Sequence, residues 1–168
     1  MLRRVTLVVV MLAACIVAPI PVANAAKPIR NPFVAPPPTT FPAGLVCPFE
    51  VYVETVENRQ TATTFSDGTT KITGFFSTRV VNTENDKELT LVSGGSVRLS
   101  PEGANLRVEI RGPIIFFFFP GDAGPGDTTV GRSYYFHGNI EGLVDPSTFV
   151  GLSFEYDGVA TDLCAALA

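Results

Sequence analysis

Apolar and polar residues alternate with a period of two from Val46 towards the end of the chain. Phe49, Val51 and Val53 have polar or amphipathic neighbours, and residues 105–111 (NLRVEIR) repeat the alternation. This period is typical of strands with one buried face. Gly, Pro, Asn or Asp bound the runs at short intervals, which predicts about eight to ten short strands. We expect an all-β domain over residues 45–168, a single antiparallel sandwich or barrel.

Punctuating residues predict where the strands end. Asp67-Gly68 suits a tight hairpin of type I′, in which both central residues need a positive φ. Residues 82–87 (NTENDK) form a polar turn, and Gly94-Gly95 separates two short strands. Asp162 is placed to cap a short helical turn at the C-terminus.

The run Ile114–Phe119 (IIFFFF) does not alternate. A short continuous apolar run indicates a strand buried on both faces. It would then be a central strand with a layer on each side, or one with a face under the preceding Pro-rich segment. The alternatives are the wall of an apolar cavity and a hydrophobic surface for a partner.

The N-terminus has the three parts of a secretory signal peptide over residues 1–25. Two arginines precede an apolar run, and Ala23-Asn24-Ala25 is a small-x-small exit. The run is too short to cross a bilayer, which needs about 20 apolar residues. We expect cleavage after Ala25, secretion, and no later transmembrane segment. The alternative is a lipoprotein anchored through Cys15, because Leu12-Ala13-Ala14-Cys15 resembles a lipobox.

Residues 26–44 are rich in proline, with a run of three at positions 36–38. Proline restricts φ and removes a hydrogen-bond donor, so this segment is expected to be an extended tether. The domain organisation is therefore a signal peptide (1–25), a Pro-rich tether (26–44) and a β domain (45–168).

Loss of Cys15 with the leader leaves two cysteines, Cys47 and Cys164. An even number of cysteines in an exported chain favours a disulfide. The bridge would join the beginning and the end of the β domain. It would close a loop that includes nearly the whole β domain, and closing so long a loop stabilises the fold by about 4–5 kcal/mol in the chain-entropy model.

The formal net charge of −4 becomes −6 once Arg3 and Arg4 are lost with the leader. An acidic surface argues against nucleic acid and against anionic membrane surfaces as partners. A hydrophobic fraction of 46% is enough to form a core.

Candidate chemical groups are few. Asp122 and Asp127 lie in the Gly-rich loop PGDAGPGD and are weak candidates for a calcium site. They lack the spaced Asp or Asn ligands and the distal Glu of an EF-hand loop. His137 is the single histidine, at a predicted strand end, and has no obvious zinc or triad partners.

Carboxylate pairs remain as a route to catalysis. Glu50 and Glu54 share a strand face but would be more than about 10 Å apart by strand rise. Arg107, Glu109 and Arg111 on another strand form a cross-strand charge stripe. We predict no cofactor and no metal.

Three functions remain open. The first is a non-catalytic exported module with a binding or structural role and a small apolar molecule or a cell-wall or surface component as partner. The second is a carrier of a small apolar ligand in a barrel cavity of a few hundred Å³. Its predicted ligand-binding residues are Phe116, Phe118, Tyr134, Phe136 and Phe154. The third is a carboxylate-based hydrolase, which needs two convergent acids, one with a raised pKa. We expect no enzymatic activity.

Four stretches together resemble a group of small, uncharacterised secreted actinobacterial proteins. They are CPFEV at residues 47–51, FSDGT at 65–69, FFPGDAGPG at 118–126 and DLCAAL at 162–167. In that group a signal peptide precedes a β domain that runs from one cysteine to the other. The resemblance implies export and an all-β fold, and it implies no particular activity.

Overall fold

A computed structural model describes residues 27–148 and 150–168 of the chain. Strands dominate, and one short helix follows the last strand. The elements are β1 (Ile29–Pro32), β2 (Thr39–Phe41), β3 (Val51–Asn58), β4 (Thr61–Thr64), β5 (Thr70–Asn82), β6 (Glu88–Glu102), β7 (Asn105–Phe118), β8 (Arg132–Val144), β9 (Gly151–Asp162) and α1 (Leu163–Leu167). The predicted all-β class with a C-terminal helical turn is confirmed. Asp162 caps α1 as expected, because its carboxylate accepts a hydrogen bond from the Ala165 amide at 3.0 Å.

All strands belong to one antiparallel sheet. β5 to β9 are neighbours in chain order. On the other side of β5, β3 pairs with its C-terminal part and β4 with its N-terminal part, so β3 and β4 lie end to end. The five strands from β5 to β9 have between 12 and 15 residues. The number of strands therefore agrees with the prediction, but the main strands are long rather than short.

A row of glycines explains why the strands are longer than expected. Gly94-Gly95 does not separate two strands, because β6 passes through it. Gly95 pairs with Gly74 on β5, and on the other side Gly138 of β8 pairs with Gly112 and Gly158. All five have a positive φ. A Cβ on Gly138 would lie 2.0 Å from the Asp157 carbonyl oxygen. Such rows occur where neighbouring backbones approach closely and a sheet bends.

The Pro-rich segment is extended as expected, and two pieces of it belong to the sheet. β1 pairs with β4, and β2 pairs with β3. The prolines at 36–38 lie between β1 and β2. Proline has no amide hydrogen to donate to a neighbouring strand, so it interrupts a strand ladder. Phe33 continues the connection, donating its amide to the Gln60 carbonyl and accepting from the Asn58 side chain at 2.7 Å. This segment therefore forms the edge of the sheet beside β3 and β4.

The Phe-rich run lies in β7, and its two faces meet different clusters. Ile115 and Phe117 pack against a first cluster, which we call the sealed cluster. Its buried members are Val46, Cys47, Phe49, Val51, Val80 and Leu167. Ile114 and Phe116 pack on the opposite face, in a second cluster that we call the aromatic cluster. Its buried members are Ile110, Phe118, Phe136 and Ile140. Both faces of the run are covered, but burial is only partial: Phe118 is buried, Ile114 to Phe117 are half-buried, and Phe119, just after β7, is exposed. Phe41 of the Pro-rich segment covers Phe117 with ring centroids 5.4 Å apart.

The predicted hairpin at Asp67-Gly68 forms, but with a different turn. Phe65 and Thr69 close the loop through a backbone hydrogen bond, and the Gly68 amide donates to the Phe65 carbonyl. Only Gly68 has a positive φ, at 82°. The turn is therefore a three-residue loop that ends in a left-handed glycine. Asp67 instead accepts the Thr69 amide at 2.9 Å, an interaction that lowers the pKa of its carboxyl.

Cys47 and Cys164 form the predicted disulfide, with Cα atoms 5.4 Å apart. Neither cysteine lies in a strand. Cys47 precedes β3 in the segment that covers the sealed cluster, and Cys164 lies in α1. The bridge therefore fastens both ends of the β domain over the same cluster. Around it, the Ser133 hydroxyl donates to the Val46 carbonyl at 2.8 Å.

Candidate binding site

The five aromatic residues predicted to bind a ligand come together in the aromatic cluster. Phe116 and Phe118 stack with ring centroids 5.5 Å apart. The Phe154 ring meets both edge to face, at 5.4 and 4.9 Å. Phe136 lies 5.3 Å from Phe154, and Tyr134 lies 5.7 Å from Phe136. Edge-to-face and offset pairs at these separations are favourable arrangements for aromatic rings.

Strand register alone does not explain this convergence. Phe116 pairs directly with Tyr134 near the start of β8, whereas Phe154 pairs with Gly142 near its end, beyond the glycine row. Alternate residues of a strand share a face, so Phe118 and Phe136 follow Phe116 and Tyr134 on the same side. The Phe154 ring still lies 5.4 Å from the Phe116 ring, so the sheet bends over at the glycine row and brings its two halves together. Burial raises the pKa of the Tyr134 hydroxyl, so this side chain stays neutral.

An apolar cavity of about 150 Å³ lies beside these rings. Phe116, Phe118 and Phe154 line it, whereas Tyr134 and Phe136 pack behind them and do not. Phe136 is only 1% exposed, so it supports the other rings. The remaining wall comes from residues that the sequence analysis did not select, chiefly Val108, Ile140, Phe119, Ala123 and Gly151. Val108 belongs to the predicted alternating strand, so its inward face was available from the pattern. Ala123 and Gly151 reach the cavity through loop geometry, which no local pattern signals.

The Gly-rich loop after β7 forms the roof of the cavity. Asp122 ties it down, because one carboxylate oxygen accepts the Phe119 amide at 2.8 Å and the other accepts the Gly151 amide at 3.0 Å. The Ala123 amide donates to the Gly151 carbonyl at 2.9 Å. The loop and the start of β9 are thus joined into one rim. Gly124 lies so near the Phe118 ring that a Cβ would be 2.5 Å from it.

Arg132 supports the same loop from below and was not selected from the sequence. Its side chain is buried, and the guanidinium lies 5.2 Å from the centroid of the Phe118 ring. One nitrogen donates to the Asp122 carbonyl at 2.9 Å and another donates to the Pro125 carbonyl. A cation over an aromatic face is stabilised more strongly when it is withdrawn from water.

Asp122 and Asp127, the weak metal candidates, have other partners. Both oxygens of Asp122 accept backbone hydrogen bonds in the rim. Asp127 accepts the hydroxyl and the amide of Thr129, at 2.7 and 2.8 Å, and these bonds lower the pKa of its carboxyl. Within residues 27–148 and 150–168, no three His, Cys, Asp or Glu side chains are grouped as metal ligands. Both aspartates order the loop in this structure.

The other candidate groups do not converge on the cavity. His137 lies within β8 rather than at a strand end, is exposed, and meets the Tyr135 ring edge to face at 4.6 Å. Glu54 accepts hydrogen bonds from Tyr52 and Arg79, at 2.9 and 2.7 Å, and both lower its pKa. Glu50 accepts the Thr83 hydroxyl at 2.9 Å.

The predicted charge stripe forms on the opposite face of the same strands. Arg107 pairs with Glu141 at 2.7 Å and with Glu102 at 3.2 Å. Arg98 approaches Glu109 at 3.7 Å. These pairs are substantially exposed, so each contributes little to stability.

Comparison of the chain with protein-family models, with curated proteins and with solved structures finds no match. In the described part of the chain, no helix is long and apolar enough to cross a membrane.

Proposed function

We propose that this protein is an exported, non-catalytic binding module whose site is the cavity beside the aromatic cluster. The observation that carries the proposal is the cavity of about 150 Å³, lined mainly by Phe116, Phe118, Phe154, Val108 and Ile140. Apolar walls with few polar groups are typical of sites for apolar ligands.

The size of the cavity restricts the ligand. An apolar cavity of about 150 Å³ in another protein stays dry and accepts a single benzene ring. The cavity here opens to solvent at its rim, so it accepts one aromatic ring or the end of an alkyl chain, and any remainder of the ligand lies outside it. This is a smaller site than the barrel cavity of a few hundred Å³ expected for a carrier.

The absence of catalysis is part of the proposal and rests on the state of the carboxylates, both at the rim of the cavity and elsewhere in the described residues. Asp122, at the rim, uses both carboxylate oxygens to hold the loop. The pKa values of Glu54, Asp67, Asp127 and Asp145 are lowered by hydrogen bonds. A glycosidase-type acid needs the opposite shift.

Benzene binding tests the site directly. Titration of the protein with benzene, followed by NMR, is expected to shift the side-chain signals of Val108, Ile140 and Phe154. Ala123→Leu places a larger side chain at the cavity wall and should abolish these shifts. Ala104→Leu is the matched control, because Ala104 is exposed in the turn between β6 and β7, and it should leave them unchanged. Equal shifts in both variants, or none in the unaltered protein, would contradict the proposal.

Export is supported by the leader pattern and by the disulfide, and the intact mass of the protein from its own host tests it. We expect a chain that starts at Ala26 and lacks two hydrogens. A chain that starts at an acylated Cys15 would make it a lipoprotein, and a chain that retains residue 1 would contradict export.

A further inference from the structure

A row of charged side chains crosses the sheet on the face opposite the aromatic cavity. Direct strand partners connect Lys71 to Arg98, then Glu109, Glu141 and Glu155. Directly paired residues of antiparallel strands point to the same face. The row therefore runs over five neighbouring strands, with two cations at the β5 end and three anions towards β9.

A second row, two residues further along each strand, repeats the separation of charge. Its members from β5 to β9 are Thr73, Ser96, Arg111, Asn139 and Asp157. The only cation lies on β7, and the only anion lies on the last strand. The two rows line two depressions of about 420 and 410 Å³ that share Glu109 and Arg111. The depressions adjoin at Glu109 and Arg111, and we call the two together the trough.

The arrangement places like charges directly opposite each other. Lys71 faces Arg98, and Glu141 faces both Glu109 and Glu155. Like charges in direct cross-strand pairs are destabilising. Arg98 and Arg107 offset the repulsion at Glu109 and Glu141, but no ion pair in the described residues offsets it at Lys71 or Glu155. Within the described residues, Lys71 and Arg111 form no ion pair, and neither do Glu155 and Asp157. Asp67 also lines the β5–β6 end, and Arg98 there is paired with Glu109, so Lys71 and Arg111 supply the excess of positive charge. Each end of the trough thus has charge available for a ligand of opposite sign.

We infer that the trough binds a short zwitterionic peptide, with its carboxylate at the β5–β6 end and its ammonium at the β8–β9 end. Among the described residues of the trough, the cations without an ion pair, Lys71 and Arg111, centre on β6, and the anions without one, Glu155 and Asp157, lie on β9. The two centres are about three strand spacings apart, or roughly 14 Å. An extended peptide covers about 3.3–3.6 Å per residue, so about four residues match this span. Hydroxyl and amide side chains at Ser96 and Asn139 lie between the ends, where they can bond to peptide groups. This site is separate from the cavity and does not depend on the proposed function.

Capped peptides test the inference on the unaltered protein. Binding of tetra-alanine is measured by NMR titration, which should shift the amide signals of Ser96, Arg111 and Asn139 saturably. N-acetylation of the peptide and amidation of its carboxylate should each weaken binding at least tenfold. Dialanine, which cannot span the trough, should bind at least tenfold more weakly. Added salt should weaken tetra-alanine binding, because the trough is open to solvent.

Charge reversals locate the two ends. Arg98→Glu and Glu155→Lys should each weaken binding of tetra-alanine at least tenfold. Arg30→Glu on β1 and Glu84→Lys in the turn after β5 are exposed controls outside the trough, and they should have no such effect. Melting curves check that each variant is folded.

Three results would overturn the inference. Unchanged binding of the acetylated peptide would reduce the trough to an anion site, and unchanged binding of the amidated peptide would reduce it to a cation site. Absence of saturable tetra-alanine binding at millimolar concentration would exclude the site.

Discussion

The two faces of β7 differ in how they are covered. Ile115 and Phe117 face the sealed cluster, where residues 41–49 and α1 close the surface and the disulfide joins them. Ile114 and Phe116 face the aromatic cluster, where a single Gly-rich loop forms the roof and a cavity of about 150 Å³ remains.

The difference shows that burial of both faces does not require equal packing. The sealed face is covered by segments from both ends of the domain, and the disulfide between Cys47 and Cys164 prevents their separation. The aromatic face is covered by a loop held by the two hydrogen bonds of Asp122 and by Arg132. The first arrangement contributes to stability, and the second leaves room for a ligand.

The largest effect is expected from breaking the seal. The double variant Cys47→Ser/Cys164→Ser should lower the free energy of unfolding by about 2–5 kcal/mol, because the unfolded chain regains the freedom that the bridge removes. Urea unfolding measures the loss. The reduced unaltered protein is the control and should match the variant. Equal midpoints for the variant and the oxidised protein would contradict a sealing role for the disulfide.

The next largest loss of stability is expected at the glycine row that crosses β5 to β9. Gly138→Ala should destabilise the protein by about 3 kcal/mol, since a Cβ there would lie 2.0 Å from a carbonyl oxygen and the φ is +148°. Gly103→Ala is the matched control: its φ of +62° is also positive, but nothing lies within 4 Å.

The control measures the cost of an ordinary left-handed φ, which is about 1 kcal/mol. The larger cost expected at Gly138 combines the close approach of the strands with a φ of +148°, which residues other than glycine rarely adopt. Thermal and urea unfolding of both variants measure the difference. If the two substitutions cost the same, neither the close approach nor the unusual φ is what requires glycine in the row.

A smaller effect compares the packing of the two faces with one added methylene group. Val80→Ile in the sealed cluster, where Val80 is 1% exposed, should cost about 1–2 kcal/mol by overpacking. Val108→Ile, at the cavity wall, should be neutral or slightly stabilising, because the added group has space. Urea unfolding distinguishes them, and the reverse order of stabilities would refute the contrast between the faces.

The smallest effect lies on the outer surface of the sealed half, at Glu54. Hydrogen bonds from Tyr52 and Arg79 hold the pKa of Glu54 below its ordinary value of 4.5. A lowered pKa in the folded state stabilises the protein above the unfolded pKa, and this contribution is lost as pH falls through the folded value. Glu54→Gln should therefore be less stable than the unaltered protein at pH 7 and equal to it well below pH 4.5. A difference that persists at low pH would assign the effect to something other than the carboxylate charge.

Local patterns predicted the features that depend on neighbouring residues. The alternation at Val51 and Val53 predicted a strand with a buried face, and Asp162 predicted the helix cap. The two cysteines predicted their pairing because only two remained. The turn type at Asp67 and the strand break at Gly94-Gly95 were wrong, because the same residue types serve more than one backbone geometry.

The aromatic residues predicted to bind a ligand were only partly correct. All five aromatic residues form one cluster, since apolar residues of alternate positions share a face. Only Phe116, Phe118 and Phe154 line the cavity, because the bend of the sheet at the glycine row brings Phe154 over Phe116 and Phe118 and leaves Phe136 behind them.

Residue type, periodicity and number were enough to predict the strand class, the disulfide and the coverage of the Phe-rich run on both faces. Contacts between distant strands were needed to align glycines from five strands in one row, to close the rim of the cavity with Asp122, and to gather charges of opposite sign at opposite ends of a trough. These features join residues distant in the chain. The register between strands specifies them, and no local pattern encodes that register.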